Sequence, residues 1–465
     1  MAQKPTKLNS SSWSRSTSAS LAGLRASGAF ALDRAFRKLR TGDKSKPTEF
    51  AKREAQHFVA SLGQLKGTYV KIGQMFALLG EHFLPPVLTQ ALHALESQTQ
   101  ALPWKTIEPA LKASLGDRFD ELRIENTAIA AASLAQVHRA TVIATGERIC
   151  LKVQYPGLAD VIDSDFDTVV RMLLLARWIK AGRDLDDWLE AMRSQLHREI
   201  DYLREAKMTD QMAAHASATN EQRKQSSVGY HVPRRFPRYC SANVLALEFI
   251  EGHLVTQPEV AQLSQGRRNA LGKSMLELFL LELYQWGSMQ TDPNFGNYLI
   301  RASAEAKGQD ELVLLDFGSM LTCEEDFLIH LGNAIAAGQA SDRALLIESL
   351  VGLGCLKSCS STFAKESFCD FCLQLLEPLR PPETLPREYL NASGEYCWGQ
   401  SQLMRRVGKN VATSAVTRHF STPTREFAMI ARKLTGVFTF IAVLNAQFNA
   451  YDLVQGHIAR WLEEA

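Results

Sequence analysis

Two short motifs carry side chains that suit phosphoryl transfer. Asp292 and Asn297 lie five residues apart in the segment TDPNFGN, and Asp316 begins the triplet DFG at the end of the apolar run LVLL. Phosphoryl transfer needs metal-held phosphates and a positioned attacking group rather than covalent chemistry by the protein. We therefore predict that Asn297 and Asp316 bind Mg²⁺ and that Asp292 orients the attacking group.

A lysine within an apolar strand pattern is a candidate phosphate-binding cation. Lys152 lies in the run ICLKV. It is either a solvated charge on an edge strand or a strand lysine that binds phosphates and pairs with an acid on a helix. The helix predicted from Asp184 offers three acids within seven residues. The residues alone leave the choice open among Glu199, Asp201 and Glu205.

Small residues precede the lysine strand, where a kinase has its glycine-rich loop. Glycine lets a backbone approach phosphates closely, whereas alanine keeps a loop small but stiffens it. The alternative interpretation is the start of a small-residue helix. Because the segment comes just before Lys152, we predict a nucleotide-covering loop formed by Ala130, Ala131, Ala132, Ser133, Leu134, Ala135 and Gln136.

The elements predicted around these motifs follow a kinase-like order. Helical spacing covers 50–80, and proline ends that helix. Two shorter helices are predicted at 87–95 and 105–115, and strand patterns follow at 118–129, 140–143 and 149–154. Two long helices come next, at 158–180 and 184–214. A loop is predicted at 216–229, and strands at 231–236 and 243–249. The remainder is mainly helical, with one strand pair at 298–301 and 311–315. A sheet-bearing lobe, a short hinge and a helical lobe predict an α+β, bilobal, protein-kinase-like fold with an N-terminal helical extension.

Composition excludes several classes of protein. The chain has 465 residues, a formal charge of +2 and 46% hydrophobic residues, which excludes a wholly disordered or collagen-like chain and gives no field that favours nucleic acid. Eight cysteines are too sparse for a disulfide scaffold. Four of them have spacing that also fits zinc, but helical apolar spacing around them favours core positions: Cys355, Cys359, Cys369 and Cys372.

Two segments bear on localisation. Residues 434–451 are uncharged but contain six polar or glycine positions, which favours a buried core helix over a membrane span. Residues 1–32 contain no acid and are rich in serine. They fit a transit peptide or, as we favour, a disordered tail leading to the amphipathic stretch 29–39.

The motifs together resemble those of the UbiB/AarF/ADCK family of atypical kinases, which is associated with ubiquinone biosynthesis. The resemblance extends from about residue 50 to the C-terminus, and Ala135 departs from the glycine usual in the family. The matching segments are KIGQ at 71–74, the alanine-rich loop at 130–138, KVQYPG at 152–157, EID at 199–201, DPNFGN at 292–297, DFG at 316–318 and RKLTG at 432–436.

This resemblance implies roles that spacing alone does not give. Glu205 becomes the partner of Lys152, and Glu248 and Ile250 near the hinge join the predicted nucleotide-binding set. Lys71 and Gln74, three residues apart, would point toward Glu199 and Asp201 and act as regulatory residues. The helix that carries them would cap the active site and block a peptide groove, so protein-kinase activity is doubtful.

We therefore predict a flexible tail (1–45), a helical extension (46–116), an N-lobe (117–252) and a C-lobe (253–465). The predicted function is an atypical kinase or ATPase that binds ATP or ADP with Mg²⁺ and supports isoprenoid-quinone or lipid metabolism. Quinone-biosynthesis proteins and a membrane surface are the expected partners, in the cytoplasm, or in mitochondria if the host is a eukaryote. The alternatives are a small-molecule phosphotransferase and a nucleotide-gated scaffold or lipid chaperone.

Overall fold

The computed structural model describes residues 49–65, 67–79, 84, 86–92, 95, 101–175, 179, 183–223, 227–305, 308–413 and 424–464. The predicted tail and the amphipathic stretch 29–39 lie outside these residues. The chain divides into two compact units: unit 1 comprises 1–207 and 235–249, and unit 2 comprises 208–234 and 250–465. The four domain bounds drawn from the sequence stay a prediction.

Both units contain helices and strands. The strands are β1 (Leu122–Ala131), β2 (Ala135–Val142), β3 (Arg148–Gln154), β4 (Val228–His231), β5 (Val244–Glu248), β6 (Met289–Gln290), β7 (Tyr298–Arg301), β8 (Asp310–Leu314) and β9 (Met320–Leu321). The helices are α1 (Glu49–Leu65), α2 (Thr68–Leu79), α3 (Pro86–Leu92), α4 (Trp104–Leu115), α5 (Leu158–Leu175), α6 (Arg183–Ile200), α7 (Tyr202–Gln222), α8 (Pro258–Ala261), α9 (Gln265–Tyr284), α10 (Glu325–Ala340), α11 (Arg343–Gly352), α12 (Thr362–Leu375), α13 (Leu403–Thr413), α14 (Arg425–Val443) and α15 (Tyr451–Glu464).

The helical part of unit 1 has one apolar core. Buried side chains of α1, α2 and α3 pack with those of α5 and α6 in a single cluster. The sequence predicts one helix over 50–80, and this is wrong. Gly67 has φ of +58° between α1 and α2, a left-handed conformation that favours glycine and ends the first helix.

A four-stranded antiparallel sheet in the order β1-β2-β3-β5 forms the rest of unit 1. The predicted strand at 149–154 is confirmed. The predicted loop over the alanine-rich segment is largely wrong, because Ala130 pairs with Val137 and Ala131 with Gln136 as β1 runs into β2. Only residues 132–134 connect these two strands.

The helical segment predicted from Asp184 to about Ala214 is two helices rather than one. Helix α6 ends at Ile200 and α7 begins at Tyr202. The predicted loop at 216–229 is also mostly wrong, because α7 continues to Gln222 and β4 begins at Val228.

Unit 2 is mainly helical and holds the largest buried cluster. Its strands β4, β8 and β7 form a small sheet in which β4 is parallel and β7 antiparallel to β8. The strand pair predicted near 298–301 and 311–315 is therefore confirmed. A second, two-stranded pair joins β6 to β9.

The apolar segment beginning at Leu434 lies largely on α14. Val437, Phe438, Phe440 and Ile441 are buried there, as expected of a core helix. Among the described residues, no helix combines the length and hydropathy needed to cross a membrane. Three of the four clustered cysteines are buried: Cys355, Cys369 and Cys372.

Candidate active site

Lys152 and Glu205 form an ion pair within unit 1. Side chains alternate along β3, so Leu151 and Val153 are buried on one face while Lys152 projects from the other. Its Nζ donates to Oε1 of Glu205 over 2.7 Å, and the Glu205 side chain is only 3% exposed. Of the three candidate acids, Glu205 is the one that the structure places against Lys152.

The junction between α6 and α7 positions Glu205. Asp201 lies at this junction, and its Oδ1 accepts a hydrogen bond from the backbone N–H of Arg204 over 3.0 Å. A carboxylate in this place caps the new helix and satisfies an otherwise unpaired donor. The side-chain amide of Gln154, at the end of β3, donates to the carbonyl of Ile200. These contacts hold both sides of the junction and explain why the predicted single helix breaks here.

The KIGQ segment lies on α2 and divides its contacts between two neighbours. Lys71 forms an ion pair with Glu199 on α6, and both side chains are about one-fifth exposed. The amide of Gln74 instead donates to the carbonyl of Leu95 over 3.0 Å. The expectation that Gln74 points toward the acids is therefore wrong, because the adjoining Leu95 carbonyl takes its amide.

The short connection after the alanine-rich strand is held by Tyr155. Its hydroxyl donates to the carbonyl of Ala132 over 3.0 Å, and its N–H donates to the carbonyl of Leu134 over 3.0 Å. The N–H of Ala132 also donates to the carbonyl of Ala135 over 2.7 Å. No residue from 130 to 136 has positive φ, so alanine is accommodated without backbone strain.

Other members of the predicted nucleotide set face different surroundings. Ser133, Leu134 and Ala135 are buried, while Ala130 and Ala132 are exposed.

The Gln136 side chain turns inward, where its Oε1 accepts from the N–H of Leu102 over 2.7 Å and its Nε2 lies 2.8 Å from Nε2 of His138. A nucleotide contact by that side chain is therefore not available in this arrangement. Burial lowers the pKa of His138, so the neutral ring is favoured.

Glu248 and Ile250 flank the boundary drawn between the two units. Glu248 is the last residue of β5 and pairs in register with Ile149 of β3. Its side chain is half-buried. Ile250 is the first residue of its segment of unit 2 and is buried. The nucleotide contacts predicted for both residues stay predictions.

Unit 2 holds Asp292 by both carboxylate oxygens. The side-chain Nδ2 of Asn297 donates to Oδ2 of Asp292 over 3.0 Å, and Nη2 of Arg432 on α14 lies 3.4 Å from Oδ1. The same Nδ2 lies 3.3 Å from the Asp292 carbonyl. Each carboxylate oxygen of Asp292 therefore lies near one side-chain nitrogen.

The DFG segment is joined to this loop by the backbone. The N–H of Thr291 donates to the carbonyl of Ser319 over 2.9 Å, and the N–H of Leu315 donates to the carbonyl of Asn297 over 3.0 Å. Oδ1 of Asp316 accepts from the N–H of Gly318 over 2.9 Å. Asp292, Asn297 and Asp316 are thus brought into one region of unit 2.

The donor set in this region suits Mg²⁺. The hydrogen bonds from the Asn297 side chain to Asp292 use its nitrogen, so its amide oxygen is the atom that would bind a cation. Carboxylate and amide oxygens are the ligands that hard cations prefer, and Mg²⁺ is commonly completed by phosphates and water. Within the described ranges no group of three or more His, Cys, Asp or Glu side chains could hold a metal ion. Asn297 and Asp316 would supply two oxygen ligands to Mg²⁺, and phosphates and water would supply the others.

Several residues that contact the predicted site have no role that their sequence pattern predicts. Tyr155 holds the Ala132 turn, and Arg432 contacts Asp292. Lys433 donates hydrogen bonds to Gln290 and Tyr298, which lie just before and just after the Asp292 loop. Gly436 packs against Pro293. A glycine inside a helical pattern is a local signal for close packing, but Pro293, the partner of Gly436, lies more than a hundred positions away in the sequence.

The family model for the ABC1 atypical kinase-like domain matches residues 94–350, more than half of the chain. The chain is 26% identical over 392 residues to the mitochondrial atypical kinase COQ8 of Saccharomyces cerevisiae, covering 84% of this chain and 73% of that protein. It is 27% identical over 398 residues to the mitochondrial atypical kinase coq-8 of Caenorhabditis elegans, covering 84% and 49%.

The mitochondrial atypical kinase COQ8B of Rattus norvegicus is 27% identical over 409 residues, covering 88% of this chain and 72% of that protein. The solved complex of Rv3197 with erythromycin from Mycobacterium tuberculosis matches 88% of this chain and 96% of that chain, with a TM-score of 0.57 and 21% identity. The kinase-like α+β fold predicted from the sequence is confirmed. The chain belongs to the ABC1 atypical kinase-like family, which confirms both the resemblance to UbiB/AarF/ADCK proteins and the assignment to atypical kinases and ATPases.

Proposed function

We propose that this protein is a Mg²⁺-dependent atypical kinase or ATPase that binds ATP or ADP and supports isoprenoid-quinone or lipid metabolism. The ion pair between Lys152 and Glu205, 2.7 Å apart, is the observation that carries the proposal. A lysine with an almost fully buried carboxylate partner is held in one orientation, as phosphate binding by a strand lysine requires.

Each residue then has a distinct role. Lys152 binds phosphate oxygens, and Glu205 holds the ammonium in place. Asn297 and Asp316 contribute oxygen ligands to Mg²⁺, which when bound neutralises phosphate charge. Asp292 orients the attacking hydroxyl or water and accepts its proton. The contacts with Arg432 and Asn297 favour one orientation of its carboxylate.

The Lys71–Glu199 ion pair supports a regulatory role for the KIGQ helix. It joins α2 to α6, the helix that leads directly into Asp201 and the start of α7. A change at α2 would therefore be transmitted to the helix that carries Glu205. We propose that this coupling restrains turnover, in keeping with an ATPase that acts on small lipid intermediates rather than on peptides.

The names of the relatives support the proposed setting. The yeast, worm and rat proteins are all named as mitochondrial COQ8-type atypical kinases. We accordingly propose a role in quinone metabolism, with peripheral contact to a membrane surface, in mitochondria if the host is a eukaryote.

Thermal shift with Mg-ATP and Mg-ADP tests the nucleotide site. Wild type should be stabilised by saturating nucleotide, by an amount set by ligand concentration over Kd. Lys152→Met should lose most of that stabilisation, and Asp316→Asn should lose its Mg²⁺-dependent part. Lys112→Met is the matched control, because Lys112 pairs with Glu108 on the surface of α4 and should respond as wild type does.

A missing shift in wild type, or an unchanged shift in Asp316→Asn, would contradict the proposal. Phosphate release without an acceptor distinguishes an ATPase from a small-molecule phosphotransferase, which would transfer phosphate stoichiometrically to an alcohol. Quinone and lipid profiling of a deletion strain carrying wild type or Asp292→Asn tests the pathway. Full complementation by Asp292→Asn would favour a scaffold over an enzyme.

A further inference from the structure

A fully buried lysine lies on α14 directly beneath the Asp292 loop. Only 1% of the Lys433 side chain is exposed, and its carboxylate neighbour Glu282 is equally buried, with Nζ 3.3 Å from Oε2. Nζ also donates to Oε1 of Gln290 over 2.9 Å and to the hydroxyl of Tyr298 over 2.5 Å. The ammonium thus donates hydrogen bonds to two neutral oxygens and lies within ion-pair distance of the Glu282 carboxylate.

The two neutral partners have a particular place in the chain. Gln290 ends β6 and Tyr298 begins β7, so they are the residues immediately before and after the loop 291–297. The Tyr298 hydroxyl also lies 3.0 Å from Oε1 of Gln290. A single ammonium thus joins the two ends of the loop that carries Asp292 and Asn297.

Helix α14 contacts the same loop at two further points. Arg432, next to Lys433, reaches Asp292. One turn later, Gly436 packs so closely on Pro293 that a Cβ atom there would overlap the proline ring. Helix α14 therefore contacts both ends of the loop through Lys433 and its first residues through Arg432 and Gly436.

The free-energy cost of burying two charges indicates that the Lys433–Glu282 pair does more than stabilise the fold. Replacing a buried ion pair with apolar residues is often neutral or stabilising, so stability alone does not require Lys433. Burial by itself lowers the pKa of Lys433, but Glu282 and Tyr298 outweigh burial and raise it above the ordinary value. The side chain therefore stays a cation with three hydrogens to donate.

We propose that Lys433 is a positioning residue that fixes the geometry of the 291–297 loop by holding its two ends together. The functional part of this inference rests on the proposed function, because the loop carries the predicted catalytic Asp292 and metal ligand Asn297. Lys433 lies outside the residues 94–350 that the family model matches.

Tyr298→Phe tests the proposal with the smallest change. It deletes the hydroxyl that accepts from Lys433 and keeps the ring that packs edge-on against Phe440, 6.0 Å away. Tyr230→Phe is the matched control. Tyr230 is also buried in unit 2, and its hydroxyl donates to the Ser274 carbonyl over 2.8 Å, away from the loop.

Hydrogen exchange of the full-length protein reports how readily the 291–297 loop opens. Tyr298→Phe should speed exchange of the amides at 291–297 by ~10-fold, whereas Tyr230→Phe should leave them unchanged despite a similar fall in melting temperature. With Mg-ATP, Tyr298→Phe should lower kcat by ~10-fold and change KM by less than about 2-fold, because the loss falls on positioning rather than on nucleotide binding.

A second variant tests whether the charge of Lys433, rather than the Tyr298 hydroxyl, holds the 291–297 loop in place. Lys433→Met with Glu282→Gln removes both buried charges together, which should preserve folding better than Lys433→Met alone. It should loosen the loop at least as much as Tyr298→Phe does.

Loop exchange equal to that of Tyr230→Phe in both variants would overturn the inference. If wild type neither binds nor hydrolyses nucleotide, the proposed function fails, yet the exchange comparison still decides whether Lys433 positions the loop.

Discussion

The side-chain amide of Gln74 donates to the backbone carbonyl of Leu95 over 3.0 Å. Gly73, the preceding residue, packs on the same leucine, because a Cβ atom at position 73 would overlap Cδ1 of Leu95. Lys71 alone of the motif's polar residues reaches Glu199. The KIGQ segment thus makes two sets of contacts. Its glycine and glutamine contact Leu95, and its lysine forms an ion pair with Glu199 on α6.

Gly73→Ala should therefore destabilise unit 1. Leu95 is fully buried, and overpacking of a buried site costs about 1–3 kcal/mol. Since the buried leucine has to shift, we expect a cost in the upper part of this range, above the ~1 kcal/mol that alanine gains over glycine within a helix. Urea unfolding should show a lower midpoint for Gly73→Ala. The control is Gly408→Ala on α13, where nothing lies within 4 Å of the added Cβ; equal midpoints for the two variants would refute the docking.

Asp201→Ala should weaken nucleotide binding through Glu205. Loss of an Asp helix cap typically costs about 1 kcal/mol, and this cap begins the helix whose first turn carries Glu205. Asp342→Ala is the matched control, because Asp342 caps α11 by accepting from the Leu345 N–H over 3.1 Å.

Both cap variants should lose similar stability, but only Asp201→Ala should raise the Kd for Mg-ATP, by roughly 5-fold or more. Asp201→Ser, which restores a capping oxygen, should recover most of the affinity. If both alanine variants bind nucleotide equally well, the cap does not position Glu205.

The motif residues could be predicted from the sequence because their signals are local. Asp292 with Asn297, and Asp316 in DFG, have fixed spacing, and the strand around Lys152 shows clear alternation. The break between α6 and α7 is not evident in the sequence, because apolar spacing continues through it. A capping aspartate inside a helical pattern looks like one more surface charge until its N–H partner is known.

Contacts that depend on distant chain segments could not be predicted in the same way. Gln136 is a polar residue in a small-residue run, and nothing nearby shows that Leu102 and His138 engage its side chain. Lys433 similarly lies 143 positions from Gln290. The position of the alanine-rich segment just before the Lys152 strand predicts a loop. Small residues also have weak strand propensity, yet pairing between β1 and β2 overrides that preference.

Tyr155→Phe should make the protein less sensitive to alkaline pH. Burial raises the pKa of Tyr155 to about 12, above its value of about 10 in an unfolded chain. Its stabilising contribution is therefore fully present below pH 10 and is lost as pH rises to about 12.

In that interval the free energy of unfolding should fall less steeply for Tyr155→Phe than for wild type, by up to ~1.4 kcal/mol per pH unit. At pH 7 the variant should be less stable by about 1 kcal/mol, because the hydrogen bond to the Ala132 carbonyl is lost. Urea unfolding at pH 7, 10 and 11 measures both effects. Parallel curves for the two proteins would mean that the buried hydroxyl does not titrate with unfolding.

Gly436→Ala should impair turnover through contact with the Asp292 loop. The added methyl group would overlap the Pro293 ring and lie 3.4 Å from its Cα atom, so the loop or α14 must shift. Since Pro293 directly follows Asp292, a displacement of about 1 Å there can lower kcat by about 100-fold. Gly266→Ala on α9 is the control, because open space surrounds its added Cβ. Steady-state kinetics with Mg-ATP should show a loss of kcat for Gly436→Ala and none for Gly266→Ala. If Gly436→Ala keeps wild-type kcat, close packing of α14 on Pro293 does not set the position of the Asp292 carboxylate.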